Sequence, residues 1–339
     1  MSAAVREPYR WWVIRWLTLL CALVVSMVVV GGITRLTGSG LSIVEWRPVT
    51  GALPPLSERA WEEAFEAYRA SPQYRLVNAG MSLSAFKHIF FWEYVHRLLG
   101  RFIGIAFVAP WLFFVSKRAL SRALMLKLLV GLGLGGLQGA LGWFMVASGL
   151  VDVPHVSHYR LAAHLSLALV VLGYLFALRM DLGGPGAGAE RRARVALRAT
   201  LVLIAVQIVY GAFTAGLHAG FGYNTFPTMH GSWLPPGGLA LEPAWRNLVE
   251  NTATVQFLHR VFGTLVVASV GVVIALTRGA APAVRRTVHW LAAATALQFA
   301  LGVATLVFVV PIPLAVAHQL GACMLFLVVL RADHEARPG

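Results

Sequence analysis

Four histidines stand in two pairs of like surroundings. His96 falls in Glu93-Tyr94-Val95-His96-Arg97 and His259 in Gln256-Phe257-Leu258-His259-Arg260. His164 ends Arg160-Leu161-Ala162-Ala163-His164, and His318 ends Leu314-Ala315-Val316-Ala317-His318. All four lie within apolar stretches, where an ionisable side chain is costly and is by default a functional candidate. Two imidazoles opposed across a helical bundle suit six-coordinate haem iron, with the macrocycle slotted between helices. Zinc would want four ligands, or carboxylates beside an open position, and few carboxylates fall inside these stretches. A single histidine in such a stretch is as readily a packing residue hydrogen-bonded to its neighbour. Four at matching positions argue for ligands.

Glu93 breaks the match. It lies three residues before His96, on the same face of a helix, and its counterpart is Gln256, which cannot ionise. One half of the pattern therefore has a carboxylate beside its candidate metal and the other does not, as a substrate site paired with a cofactor site would. The alternative is a carboxylate that only orients Arg97. Arg97 and Arg260 each follow a candidate ligand. Their guanidinium groups could pair with haem propionates or simply extend to lipid headgroups. His88, His155, His158, His218, His230 and His289 fall in loops or near span ends and rank lower, although His158 and His218 lie close to the candidate sites.

The elements that must position these residues are membrane spans. Of 339 residues 58% are hydrophobic and 12% charged, about half the charge of a water-soluble domain. The apolar residues come in blocks of roughly 20, enough to cross a bilayer as a helix. The expected spans are 11–34, 90–115, 123–146, 159–180, 196–217, 253–277, 286–309 and 313–332. Lys and Arg collect at the N-terminus (Arg6, Arg10, Arg15), after span two (Lys117, Arg118, Arg122), after span four (Arg191, Arg192, Arg194), after span six (Arg278, Arg285, Arg286) and in the tail (Arg331, Arg337). The loops near 147–158 and 310–313 have none. Both termini are therefore expected in the cytoplasm. The four histidines, each in the first turns of an even-numbered span, are then expected at one depth near the outer face.

The chain is also duplicated. Leu137-Gln138-Gly139-Ala140-Leu141-Gly142 returns as Leu297-Gln298-Phe299-Ala300-Leu301-Gly302, and Pro48 through Pro55 is echoed by Pro227 through Pro236. The expected fold is an all-α polytopic membrane protein of eight transmembrane helices, arranged as two parallel-repeat four-helix bundles. The first covers 11–180 with a long outer loop at 35–89, the second 196–332 with a long outer loop at 218–252. Each copy has an even number of spans, so both point the same way, unlike inverted transporter repeats. Within the first loop Trp61, Ala64, Phe65 and Tyr68 oppose Glu58, Glu62, Glu63 and Glu66, which predicts an amphipathic helix lying on the protein or the membrane surface.

Several classes are disfavoured. The net charge of +14 is spread over alternate loops rather than one face, so it marks topology and not nucleic-acid binding. Cys21 and Cys323 lie singly in apolar blocks, as packing residues rather than a disulfide or thiolate metal site. Block one is too long for a removable signal peptide. Gly131 through Gly136 matches a dinucleotide-binding spacing, but no strand precedes it, and small residues there serve close helix approach.

Gly31-Gly32-Ile33-Thr34-Arg35-Leu36-Thr37-Gly38-Ser39-Gly40-Leu41-Ser42, followed by Glu45-Trp46, Pro48-Val49-Thr50-Gly51 and Pro54-Pro55, resembles the first outer loop of the haem A synthase family. Phe86-Lys87 through Arg97, Tyr223-Asn224-Thr225 and Val255 through Arg260 extend the likeness over nearly the whole chain. It is similar to the alphaproteobacterial and mitochondrial branch, since the first loop lacks the cysteine pair of the other large branch. Met229-His230-Gly231 departs from the family, which often has Asp before this glycine. The resemblance implies an enzyme of the bacterial inner membrane that oxidises a ring methyl of haem O to a formyl group. It does so by two hydroxylations and loss of water, giving haem A for terminal oxidases. It implies haem b on His259 and His318, haem O as substrate at His96 and His164, and Glu93 in the reaction. Asp152, Asp181 and Asp333 are too scattered for the paired acidic motifs of membrane prenyltransferases, the neighbouring step. The residues alone leave open a dihaem b cytochrome taking electrons from quinol, and a haem transporter or chaperone. The resemblance makes haem O and membrane lipids the partners. It leaves open a haem O synthase that hands over substrate, the electron-transfer partner and a homo-oligomer.

Overall fold

The computed structural model describes residues 4–45, 50–149 and 156–338. Trp46, Pro48, Val49, Asp152 and His155 lie outside them. Eight long helices are present: α1 (Arg10–Leu36), α4 (Leu83–Ser116), α5 (Arg122–Gly149), α6 (His158–Gly183), α7 (Arg191–Gly216), α8 (Thr252–Leu276), α9 (Pro282–Val307) and α10 (Ile312–Glu335). All eight are long and apolar enough to cross a membrane. Two short helices, α2 (Glu58–Arg69) and α3 (Pro72–Leu76), fill the first long loop. Among the described residues there is no strand, only two isolated β-bridges. The chain is an all-α polytopic membrane protein.

Caps rather than hydropathy set the helix starts. Ser57, Ser71 and Ser82 side chains accept from the amides of Ala60, Tyr74 and Ala85, and Asn251 accepts from Ala253 and Thr254, satisfying donors that the first turn leaves free. Proline occupies the first turn of α9 and α10, where its missing N–H costs nothing. These signals move two boundaries. Helix α4 begins at Leu83, seven residues before the expected start, and α9 begins at Pro282 rather than 286.

The added turns of α4 carry Phe86, with Phe90 one turn on, into an aromatic cluster with Phe65 and Tyr68 of α2. Phe86 stacks on Phe65 and Tyr68 at 5.0 and 5.1 Å between centroids, and Trp61 meets Phe90 edge-on at 4.9 Å. The apolar face of α2 therefore lies on the protein, its glutamates facing away. Burying each such ring contributes roughly 1.5–3 kcal/mol. The Tyr68 hydroxyl donates to Gln73 and accepts from Asn78, and burial pushes its phenol above the ordinary value. Gln73 in turn donates to the Gly38 carbonyl at 2.9 Å, tying the loop helices to the end of α1.

The chain packs as two compact units that meet in sequence between Ala168 and Leu169. In the first, α4 lies against α1 and α5. In the second, α7, α8, α9 and α10 close a ring, each packed on the next and α10 on α7. The second half of α6 belongs to this unit: Gly173 lies close under the Phe326 ring, which a Cβ there would approach to 3.2 Å. The 184–189 segment pairs with the end of α10. Gly188 and Ala189 amides donate to the Glu335 and Ala336 carbonyls at 3.0 Å, and the buried His334 donates from Nε2 to the Gly184 carbonyl at 3.0 Å. Cys21 and Cys323 are buried and not joined in a disulfide.

Candidate functional site

In each unit the candidate ligands sit near the end of the helices that adjoins the long loop, and each is half-buried. Each faces a glycine on the helix before its own. A Cβ on Gly31 of α1 would stand 3.2 Å from Nε2 of His96. One on Gly142 of α5 would stand 3.0 Å from Cε1 of His164. In the second unit Gly211 of α7 is 3.2 Å from Cε1 of His259 in the same sense, and Gly302 of α9 is 2.9 Å from Cε1 of His318. Distances near 3 Å are tighter than nearly all Cβ contacts, so an alanine at any of the four would press the imidazole to shift.

Glutamines hold two of the rings. Gln298 Nε2 lies 3.1 Å from His318 Nδ1 and donates to the His318 carbonyl at 2.9 Å. Gln138 Nε2 lies 3.2 Å from His164 Nδ1 and donates to the His164 carbonyl at 3.1 Å. Polar groups that orient a metal-binding imidazole are a regular part of such sites. Sequence reasoning overlooked these residues, although the repeated Leu-Gln-x-Ala-Leu-Gly run carried the signal: its glutamine and last glycine are four apart, on one helix face.

The His259 and His318 rings stand 6.4 Å apart between centroids with planes at 88°. A metal–imidazole nitrogen bond of about 2 Å puts the centroids of two axial ligands about 6 Å apart, so this pair has the spacing for one iron between them. His96 and His164 belong to the same unit, against glycines of α1 and α5. No three of His, Cys, Asp and Glu converge as a metal cluster among the described residues. A haem asks the protein for only two ligands, and the paired histidines fit it.

Glu93 is buried, 3% exposed. Its Oε2 accepts from the Ser42 hydroxyl at 2.7 Å and the Ile43 amide at 2.8 Å, and its Oε1 accepts from Arg97 at 2.7 Å. Arg97 also donates to the carbonyls of Ile43 (2.8 Å) and Glu45 (3.0 Å). The second unit repeats the device with a neutral partner. Arg260 donates to Gln256 (2.9 Å) and to the carbonyls of Tyr223 (2.6 Å) and Thr225 (2.8 Å), while Gln256 donates to Ala219 (2.8 Å). The two i, i+4 pairs thus fasten the long loops over the histidines. Much of both guanidinium groups is spent on loop carbonyls, although Arg260 keeps a buried Nε–H without a partner. Of the lower-ranked histidines, His88, His218, His230 and His289 are exposed, and His158 lies against Tyr159 with centroids 4.0 Å apart.

Comparison with known proteins bears on this arrangement. A heme A synthase of Nitrosospira multiformis is 49% identical over 331 residues, covering 95% of this chain and 92% of the relative. The heme A synthase of Parvibaculum lavamentivorans is 49% identical over 323 residues, 94% of this chain and 93% of its own, and that of Rhodospirillum centenum 48% over 331 residues, 95% and 88%. Residues 14–330 match COX15-CtaA, described as cytochrome oxidase assembly protein. With the match running from α1 into α10, the chain belongs to the COX15-CtaA family of cytochrome oxidase assembly proteins.

Proposed function

We infer that this chain is a haem A synthase, an oxidoreductase that oxidises haem O to haem A. The observation that carries the reading is the near-half identity to heme A synthases over more than nine-tenths of the chain.

Within that activity His259 and His318 are assigned to a haem b cofactor and His96 and His164 to the substrate haem. The centroid spacing of 6.4 Å supports the first pairing. The single carboxylate within three residues of any of the four histidines, Glu93, supports the second. Haem b, when bound, supplies one-electron transfer to or from the substrate site. The protein's own residues do the rest. Gly142 and Gly302 give the imidazoles room, Gln138 and Gln298 fix them, and the Arg97 and Arg260 clamps close the long loops and shut out water. Glu93, pinned by Arg97 and Ser42, holds a negative charge at a fixed place beside His96, where it can take a proton or stabilise positive charge on the substrate. The free Nε–H of Arg260 is a donor suited to a propionate of the cofactor. The like contacts in the two units support descent from one duplicated four-helix repeat, 11–180 and 196–332. The Lys and Arg distribution supports cytoplasmic termini and haem sites near the periplasmic face of a bacterial inner membrane. A haem O synthase and an electron-transfer protein are the partners this reading calls for.

The similarity of the two histidine sites also suits a second reading, two permanent haem b groups in a quinol-oxidising cytochrome. Coexpression with a haem O synthase in a host lacking haem A, followed by extraction and chromatography of the bound haems, separates them. Haem A or its hydroxylated precursor beside haem b is expected. Haem b alone, with haem O untouched although the protein is folded and an electron partner is present, overturns the enzyme reading.

A further inference from the structure

With so much of Arg97 and Arg260 committed to loop carbonyls, the cations able to meet a second ligand at the His96 and His164 site lie elsewhere. Arg35 stands four residues beyond Gly31 on α1, and Arg160 four residues before His164 on α6. Arg35 is about 6 Å, one turn, further toward the long-loop end than Gly31, and Arg160 than His164, each on nearly the same helix face as that residue. The Thr34 hydroxyl donates to the Trp92 carbonyl at 3.1 Å, which fixes the end of α1 beside α4, one turn to the loop side of His96. Both arginines are half-buried. Neither has an acidic partner or a side-chain hydrogen bond among the described residues, and none of their nitrogens is sealed from access. Arg160 only lies over the Phe144 ring, 4.8 Å from its centroid. The second unit has nothing comparable: the positions equivalent through Gly211 and His318 are Ala215 and Leu314.

A partly desolvated guanidinium without a counter-ion is costly, and a planar carboxylate answers it with paired, charge-assisted hydrogen bonds. We propose that Arg35 and Arg160 bind the two carboxylates of the substrate haem, one from each side of the His96 and His164 site. The proposal rests on reading that site as the substrate's. It separates the two haems by how they are held: the exchanging one by a pair of cations at the rim, the resident one by its ligands and loop.

The test is an optical titration of the purified, haem b-loaded protein with haem O and with its dimethyl ester, which keeps the ring but lacks both charges. Wild type is compared with Arg35→Gln, Arg160→Gln, the double variant and the Arg→Lys versions. Each Gln variant is expected to weaken haem O binding about 10-fold and the pair about 100-fold, as charge-assisted hydrogen bonds are lost. Ester binding should start weak and stay unchanged, with lysine restoring part of the acid binding. Equal losses for acid and ester would give the arginines a packing role and overturn the proposal, as would no loss for either, the result for side chains that merely reach the headgroups. Wild-type binding that survives His164→Ala is a separate failure, since it removes the substrate site itself.

Discussion

Replacing Glu93 separates its structural duty from its chemical one. In Glu93→Ala the half-buried Arg97 loses its counter-ion, and the Ser42 hydroxyl and Ile43 amide lose their acceptor. Breaking a buried pair from one side costs about 3–5 kcal/mol, and the cost falls on the 42–45 segment. Every 1.4 kcal/mol is tenfold in an equilibrium, so exchange of the Ile43 amide should rise about 100-fold or more. Glu93→Gln is milder. Its amide oxygen can accept from Arg97 as Gln256 accepts from Arg260 at 2.9 Å, but its NH2 group meets the Ile43 N–H, for a cost of about 1–3 kcal/mol. The assay is hydrogen exchange on the 37–45 peptide by mass spectrometry, with haem A yield measured on the same membranes. The expected order of protection is wild type, then Gln, then Ala, and haem A should vanish in both variants. Haem A yield that tracked loop protection, with the Gln variant largely active, would confine Glu93 to fastening the loop. An Ile43 amide unchanged in Glu93→Ala would refute the clamp altogether.

Gly302→Ala places a methyl 2.9 Å from the His318 ring and should abolish the low-spin bis-histidine spectrum, whereas Gly271→Ala, with open space around it, should leave it intact. Gln298→Leu removes the polar hold on His318 and should weaken haem b retention about 10- to 100-fold, read as the rate of haem loss to an acceptor protein. Gly186→Ala would drive its Cβ into the His334 carbonyl, with those of Glu335 and Arg337 only 2.8 and 2.9 Å away. A lower thermal midpoint is expected, with the tail freed to protease. Phe65→Ala should cost the aromatic cluster about 3–5 kcal/mol and raise cleavage in the first long loop.

The eight helices were legible because hydropathy reports length directly. Their starts were not, because Ser82 and Pro282 act through caps and first-turn geometry that an apolar count ignores. Hydropathy also could not assign Phe86 and Phe90 to a loop helix rather than to lipid, since both environments accept a ring. The histidines stood out as candidates through their cost in a membrane and their repetition, and Glu93 through its cost and its lack of a repeat. The loop contacts of Arg97 and Arg260 were not: their carbonyl partners lie 52 and 54 residues away for Arg97, and 35 and 37 for Arg260. Backbone carbonyls leave no trace in residue type. Arg35 stood in plain view within a recognised motif, yet only its lack of an acidic or hydrogen-bonding partner among the described residues sets it apart.

The course of α6 bears on any attempt to study the halves apart. A gene cut in the 181–195 stretch, where the repeat would be divided, yields a second fragment lacking the α6 surface that receives Phe326. A cut after Ala189 also severs the 184–189 segment from a partner 150 residues further along the chain. Coexpressed fragments should do better when the break falls between α5 and α6, which keeps the second half of α6 with the helices it completes.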